Sequence, residues 1–241
     1  MLSEKQMNNF AELAVRIGAN MQKGQEVVIR CDVNCADFAH LIAEKAYQFG
    51  AKRVLMQWRD EVLGRINMLN ADKETLCEIP DYQVTQAQYF IDHKCCLISI
   101  SAGNPNIYKG CDPDKISAAN IASSKAMINF RKATMSNYLR WTIVSIPTPA
   151  WASQVFPDLP VEEAIDKMWA AIGHIMRLDT ENPTQAWRDH IDTLHRRAKF
   201  LNDHNFEYIH MTNKQGTDLT VGLAVDHEWL AAEEMGQDGI P

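Results

Sequence analysis

Long apolar runs are missing from this 241-residue chain. Nowhere do about 18 apolar residues follow one another, which is the length that a membrane-spanning helix needs. The first five residues, Met-Leu-Ser-Glu-Lys, also lack the apolar segment of an export signal. We therefore expect no membrane partner and a cytoplasmic location.

Metal-binding cysteine spacings are missing as well. None of the six cysteines forms a C-x-x-C pair or a zinc-finger pattern. In a reducing compartment the thiols are expected to be free. Cys95 and Cys96 stand in an apolar run and are predicted to be small buried residues. The six positions are Cys31, Cys35, Cys77, Cys95, Cys96 and Cys111.

Basic residues are in the minority, with 24 Lys and Arg against 31 Asp and Glu and a net charge of −7. A nucleic-acid partner is excluded, because such binding needs a surplus of cationic side chains. From residue 215 to the end there is no Lys or Arg at all. Two interpretations stay open for this acidic end: a solvated surface, or a segment that packs beside something cationic. Its six acids are Asp218, Asp226, Glu228, Glu233, Glu234 and Asp238.

The common nucleotide and nucleophile motifs are absent too. There is no G-x-x-x-x-G-K-[ST], which excludes a P-loop, and no G-x-S-x-G nucleophile turn. After the first predicted strand, residues 31–34 read Cys-Asp-Val-Asn where a dinucleotide site would have G-x-G-x-x-G. These absences disfavour a nucleotide-dependent or serine-hydrolase reaction.

What the chain does contain is a regular alternation of short apolar strands and amphipathic helices. Each strand is followed by a helix long enough for a right-handed crossover, which favours parallel pairing. We therefore predict an open, mainly parallel α/β sheet flanked by helices. The predicted strands are 26–31, 53–58, 95–101 and 141–146. The predicted helices are 3–24 with a Ser3/Gln6 capping box, 36–49, 81–93 and 112–130, then amphipathic faces at 161–176 and 187–201.

From about residue 206 the apolar residues recur at every second position, which is the spacing of a β-strand. Alternating residues at 206–211 and 219–225 flank a turn at 213–216, which predicts an antiparallel hairpin. We predict two units: an α/β domain over 1–205, and a second unit over 206–241 that opens with the hairpin.

Histidines and acids are the natural candidates for chemistry. None of the eight histidines stands in H-E-x-x-H, and His190 and His195 are five apart, off one helical face. His174 is predicted to be a packed core residue. Asp226-His227-Glu228 groups three ligand types, but neighbours on an extended chain point in opposite directions. The remaining histidines are His40, His93, His204 and His210.

Polar residues also follow each predicted strand, at the edge where open α/β sheets bind ligands. Such a rim is polar in most sheets and by itself specifies no reaction. Its members are Asp32, Asn34, Arg59, Asp60, Asn104 and Thr148.

Four blocks resemble one family in the same order. They are 46–54 running to 58–60; 147–152 with 155–157; Met168 and Trp169 with 177–179; and 216–223 with Trp229. Together they resemble the amino-terminal part of the thermophilic aminopeptidase T / aminopeptidase S (PepS-type) metallo-aminopeptidases, over essentially the whole chain.

The resemblance implies a cytoplasmic, homodimeric exopeptidase that acts on peptides with two divalent metal ions, cobalt or zinc. The family's metal ligands lie in a carboxy-terminal domain that opens with Thr-Glu-Glu-Val, expected shortly after residue 241. The resemblance thus implies that residues 206–241 form the hairpin and the start of the bridge to that metal-binding domain. No position here matches a family ligand, so we assign no catalytic or metal residue, and substrate-binding residues are unknown. We expect the chain to be inactive alone. The alternative is a stand-alone, non-catalytic α/β module that binds a small ligand or serves assembly.

Overall fold

The four strands of the predicted sheet are parallel and stand in the order β2-β1-β3-β4 in the computed structural model, which describes residues 1–240. β1 lies in the centre and pairs with β2 along its whole length, from Glu26↔Arg53 to Asp32↔Arg59. Its other side pairs with β3, so the strand order reverses between β1 and β3. The strands are β1 Glu26–Asp32, β2 Arg53–Arg59, β3 Cys96–Ser101 and β4 Trp141–Ser145.

Ten α-helices are found in the described residues, and the ones that sequence periodicity predicted are present. They are α1 Glu4–Leu13, α2 Ala36–Gln48, α3 Glu61–Asn70, α4 Lys73–Cys77, α5 Asp81–Asp92, α6 Pro113–Ala126, α7 Ile128–Met135, α8 Pro149–Val155, α9 Val161–Ile175 and α10 Pro183–His204.

The first helix begins as predicted and ends earlier than predicted. Ser3 and Gln6 form the capping box, with the N–H of Gln6 donating to Ser3 Oγ at 3.3 Å. After Leu13 the helix widens into a π-helical turn, Ala14–Gly18, and stops there, not at Gly24. Gly24 instead has a positive φ of 86° and donates its N–H to the carbonyl of Gly50.

One further helix prediction needs correction, and three helices were missed. The helix predicted over 112–130 is broken at Met127 into α6 and α7. Helices α3, α4 and α8 were not predicted. For α8 the reason is local: Thr148 caps the helix and Pro149 occupies its first turn, so the prolines that end β4 also begin a helix.

Apolar side chains cover both faces of the sheet. On one face Val27 and Ile29 of β1 pack with Phe10 of α1 and Ile42 of α2, and Trp169 of α9 joins the same cluster. On the other face Val28, Leu97 and Phe90 belong to a smaller cluster with Leu139. Burial on both faces explains why the two central strands, β1 and β3, read as continuous apolar runs.

The predicted hairpin is present as a separate two-stranded antiparallel sheet. Strands β5 Tyr208–Thr212 and β6 Asp218–Gly222 are joined by the expected turn, where Gly216 has a φ of 95°. Residues 206–240 add no strand to the parallel sheet. The fold class predicted from the sequence is thus confirmed: a mainly parallel sheet flanked by helices, followed by an antiparallel hairpin.

A search of residues 1–240 for a helix long and apolar enough to cross a membrane finds none.

Candidate functional site

The carboxyl edge of the sheet brings together the loops that follow β1, β2 and β3. Asp32 ends β1 and is buried there. Its Oδ1 accepts the N–H of Asn34 at 3.2 Å, and its Oδ2 accepts the N–H of Glu61 at 3.0 Å. Asp32 therefore ties the first turn of α3 to the end of the central strand.

Glu61 then bridges to the loop after β3. Its Oε2 accepts the N–H of Asn104 at 2.8 Å, and a Cβ on Gly103 would lie 3.3 Å from the same oxygen. Gly103 therefore leaves room for the carboxylate. Because β1 and β3 flank the point where strand order reverses, this chain's own carboxylate lies where open α/β sheets usually bind ligands.

Most other rim residues cap helices or turns. Asp60 accepts the N–H of Leu63 at 3.0 Å, and Thr148 accepts that of Trp151 at 3.3 Å. The side chain of Asn104 accepts the N–H of Asn106 at 2.9 Å. Arg59 is exposed opposite Asp32 in the ladder. Asp60, Thr148 and Asn104 stabilise the loops by accepting backbone N–H groups, and none of the three is assigned a role in substrate binding.

Glu61 is the rim residue that sequence reasoning missed. The available signal was an acid in the first helical turn, directly after the Asp60 cap. Its partner Asn104 is 43 residues away, so the bond itself could not be predicted from local spacing.

Four of the five buried cysteines are poor nucleophiles. Burial raises the pKa of Cys31 and of Cys95 to about 11, and that of Cys96 to about 12. Burial, and then the charge of Asp32, also raise the pKa of Cys35. These thiols are protonated near neutral pH, whereas thiol chemistry requires the thiolate.

The histidines are scattered over the molecule. His174, predicted to be a core residue, has an 83% exposed side chain and contacts Asp179 with 2.9 Å between Nδ1 and Oδ2. The prediction is wrong because the position at the rim of the apolar stripe turns toward solvent. His190 packs edge-on against Trp187, while His195 contacts Glu233.

The Asp226-His227-Glu228 triplet does not act as a unit. His227 Nδ1 lies 2.7 Å from the carbonyl oxygen of Ala224, and the two flanking acids are exposed. Within residues 1–240 no group of three or more His, Cys, Asp or Glu side chains is placed to hold a metal ion. The described residues therefore do not fit a metal centre, and we derive no metal-dependent step from them.

The acidic end of the chain packs against the α/β unit. Both carboxylate oxygens of Asp238 lie 2.8 Å from Nη2 of Arg140, whose side chain is only 8% exposed. The hydrogen bond from Arg140 holds the pKa of Asp238 below its ordinary value. Glu234 accepts from the Asn137 side chain, and Glu233 contacts His195. Of the two interpretations of the acidic end, packing beside a cation describes residues 229–240.

This segment also borders a cavity of about 880 Å³ along the outer edge of β4. The cavity is mostly apolar and touches side chains on both faces of the strand, Thr142 on one and Ile143 on the other. Ile17, Ile172 and Ala231 complete its wall. β4 is one of the two edge strands of the sheet, the other being β2.

These observations describe an α/β unit whose carboxyl edge is bonded within itself through Asp32, Glu61 and Asn104, and against which an acidic segment packs. The chain belongs to the thermophilic metalloprotease (M29) family, whose sequence model matches residues 3–241. The predicted family resemblance is thereby confirmed.

Known relatives carry aminopeptidase names. Aminopeptidase 2 of Geobacillus stearothermophilus is 37% identical over 237 residues, which is 98% of this chain and 57% of the relative. Aminopeptidase T of Thermus aquaticus is 35% identical over 223 residues, 92% of this chain and 54% of the relative. The chain thus spans little more than half the length of the curated relatives it matches.

A solved structure agrees with the fold. Wild-type AmpT from Thermus thermophilus superposes with a TM-score of 0.89 at 33% identity, covering 98% of this chain and 58% of that one.

Proposed function

We propose that this chain is the amino-terminal α/β part of a metal-dependent aminopeptidase that releases amino-terminal residues from peptides. One observation carries the proposal: the match to an aminopeptidase covers 98% of this chain but only 57% of the relative. We infer that two divalent ions, cobalt or zinc, are held by residues outside these 241. Such ions polarise a scissile carbonyl and activate water.

The residues present have a structural role in this proposal. The rim of the sheet is bonded to itself through Asp32, Glu61 and Asn104. The α/β part would then act as a scaffold or close one side of the substrate chamber. A covering domain suits an exopeptidase, which must exclude folded proteins and internal peptide segments. A cytoplasmic homodimer belongs to the same proposal.

The alternative is a stand-alone, non-catalytic module that binds a small anion or nucleotide at the carboxyl ends of the strands. The Glu61 carboxylate counts against it, because a negative group already takes the backbone N–H of Asn104 at that position. A thermal-shift panel of nucleotides and peptides separates the two readings, since a ligand of the folded state raises its melting temperature. We expect none of these compounds to raise the melting temperature of the chain.

The decisive experiment compares the purified 241-residue chain with the full product of the native gene. We expect the chain alone to bind neither cobalt nor zinc tightly, by equilibrium dialysis and metal analysis. It should also release no amino acid from a dipeptide, whereas the native product should do both. Stoichiometric metal with amino-acid release by the chain alone would contradict the proposal. An intact mass of 27.4 kDa for the native product would withdraw the assigned activity.

A further inference from the structure

The hairpin is apolar on one face and polar on the other. Opposing residues pair as Ile209↔Val221 and Met211↔Leu219, and side chains alternate between the faces along each strand. The N–H of Leu223 donates to the carbonyl of Glu207, which extends the ladder by one position. We call the resulting surface the apolar hairpin face; it consists of Ile209, Met211, Leu219, Val221 and Leu223.

The opposite face is suited to water. It carries Tyr208, Thr212 and Thr220, and His210 contacts Asp218 with 2.6 Å between Nε2 and Oδ1. An antiparallel sheet with one polar face packs its other face on a core. The pattern therefore indicates that the apolar hairpin face is built to be covered.

The described residues leave three of the five members of that face exposed, whereas Ile209 and Leu223 are half-buried. Met211, Leu219 and Val221 are 45%, 47% and 39% exposed. The three apolar clusters of the described chain draw all their members from residues 2–187. A two-stranded hairpin is marginally stable at best on its own in water. Burial against a partner would supply the missing stabilisation.

We infer that the apolar hairpin face docks against the part of this protein that lies outside the 241 residues. The inference rests on the proposed function and gives that absent part a contact surface. The match that covers only 57% of an aminopeptidase leaves ample polypeptide to form the partner. β5 and β6 pair only with each other among residues 1–240, so each has an outer edge for a further strand. The partner is therefore an apolar, strand-containing surface.

A second copy of the chain fits this face less well. A stable dimer interface uses about 20–30 residues on each side. The apolar hairpin face offers five. A contiguous partner that adds strands gains main-chain hydrogen bonds in addition to apolar contact, so it is the occupant to which we commit.

Amide hydrogen exchange of the wild-type proteins tests the docking without any substitution. Amides of residues 208–222 should exchange at least about tenfold more slowly in the full product of the native gene than in the 241-residue chain, because opening must then break the docked interface. Equal exchange in the two proteins would overturn the inference.

Matched double variants identify the face responsible. Met211→Asn with Leu219→Asn changes a directly opposed pair on the apolar face, and His210→Asn with Thr220→Asn changes the neighbouring pair on the polar face. In the full product, only the first should restore fast exchange at 208–222 and lower the melting temperature. In the 241-residue chain, neither should change the melting temperature of the α/β unit. Equal effects of the two pairs in the full product would overturn the inference.

The conservative exchange Met211→Leu with Leu219→Met keeps the surface apolar and should retain slow exchange, even if the Asn pair prevents folding. Loss of protection in this variant would also count against docking.

The proposed function and the proposed docking are rejected by different results. A full product with metal-dependent aminopeptidase activity and a hairpin that exchanges as fast as in the chain alone rejects the docking only. A native product of 27.4 kDa rejects the function and, with it, the docking.

Discussion

Glu26 at the amino end of β1 is an ionisable side chain that is only 4% exposed. The hydroxyl of Tyr89 donates to its Oε2 at 2.7 Å, and Lys52 Nζ lies 3.1 Å from Oε1. The hydrogen bond from Tyr89, followed by the contribution of Lys52, lowers the pKa of Glu26 despite burial. His93 stacks on the Tyr89 ring at 3.9 Å and helps to hold it in place. The buried charge is thus satisfied by neighbours from two segments, α5 with its C-terminal His93 and the turn before β2.

Tyr89→Phe should lower the free energy of unfolding of the chain, because the Glu26 carboxylate loses its closest donor. Urea unfolding at neutral pH measures the change. Tyr82→Phe is the matched control, since Tyr82 lies on the same helix with 69% of its side chain exposed, and its unfolding midpoint should not move. Equal midpoints for the two variants would show that the bond contributes nothing.

The hydrogen bond between Tyr89 and Glu26 also makes the stability of the folded chain depend on pH. Because folding lowers the pKa of Glu26, its contribution is fully present above the ordinary glutamate pKa of about 4.3 and is lost as pH falls through the folded value. The stability of the wild type should therefore fall more steeply with acid than that of Tyr89→Phe. Unfolding curves between neutral and acidic pH measure the difference. Parallel loss in both proteins would remove Glu26–Tyr89 as the cause.

At the scale of elements, strand positions were predictable because burial on both faces leaves an uninterrupted apolar signal, as in Val27 to Ile29. Helices α3 and α8 were not predicted. α3 begins directly after the last residues of β2, and α8 has only seven residues and begins at the prolines that follow β4. The rim of the site was predicted as a set of positions. Its bonds were not, because the Glu61–Asn104 contact depends on how two distant loops meet.

The close approach of the first helix to β4 gives a test at this scale. A Cβ on Gly18 would lie 2.7 Å from Oγ1 of Thr142, inside contact distance. Gly18→Ala should cost about 1–3 kcal/mol through overpacking, measured by urea unfolding. Thr142→Ala removes the clashing oxygen, so the double variant should lose less than the two single variants combined. If the losses of the two single variants simply add in the double variant, contact with Thr142 is not the cause of the destabilisation. Gly222→Ala is the control: a Cβ there meets open space, so the urea midpoint should not change.

On the scale of the whole molecule, the charge distribution was visible in the sequence but its consequence was not. Local spacing contains no information that Asp238 meets Arg140, which is 98 residues earlier. The resemblance to a longer family, in contrast, was readable because four separate blocks keep their order along the chain.

Docking of residues 229–240 should depend on the Asp238 charge. In Asp238→Asn the bond to Arg140 loses its ionic component, so amides at Gly236 and Gln237 should exchange faster and added protease should cut the segment sooner. Asp226→Asn removes an exposed acid of the same region and should change neither rate. Because the folded pKa of Asp238 is lowered, the docked segment should loosen as pH falls below the ordinary aspartate pKa of about 3.9. Unchanged exchange in Asp238→Asn would show that the other contacts of the segment, such as those of Glu233 and Glu234, hold it without the Asp238 charge.

The open edge of β4 has a consequence for the solution behaviour of the chain. Trp141 and Ile143 are exposed beside unpaired main-chain groups of an edge strand, which is a template for aggregation with other molecules. The net charge of −7 opposes this by mutual repulsion between molecules. Added salt screens that repulsion but does not change the apolar edge. The isolated chain should therefore aggregate faster as the ionic strength rises.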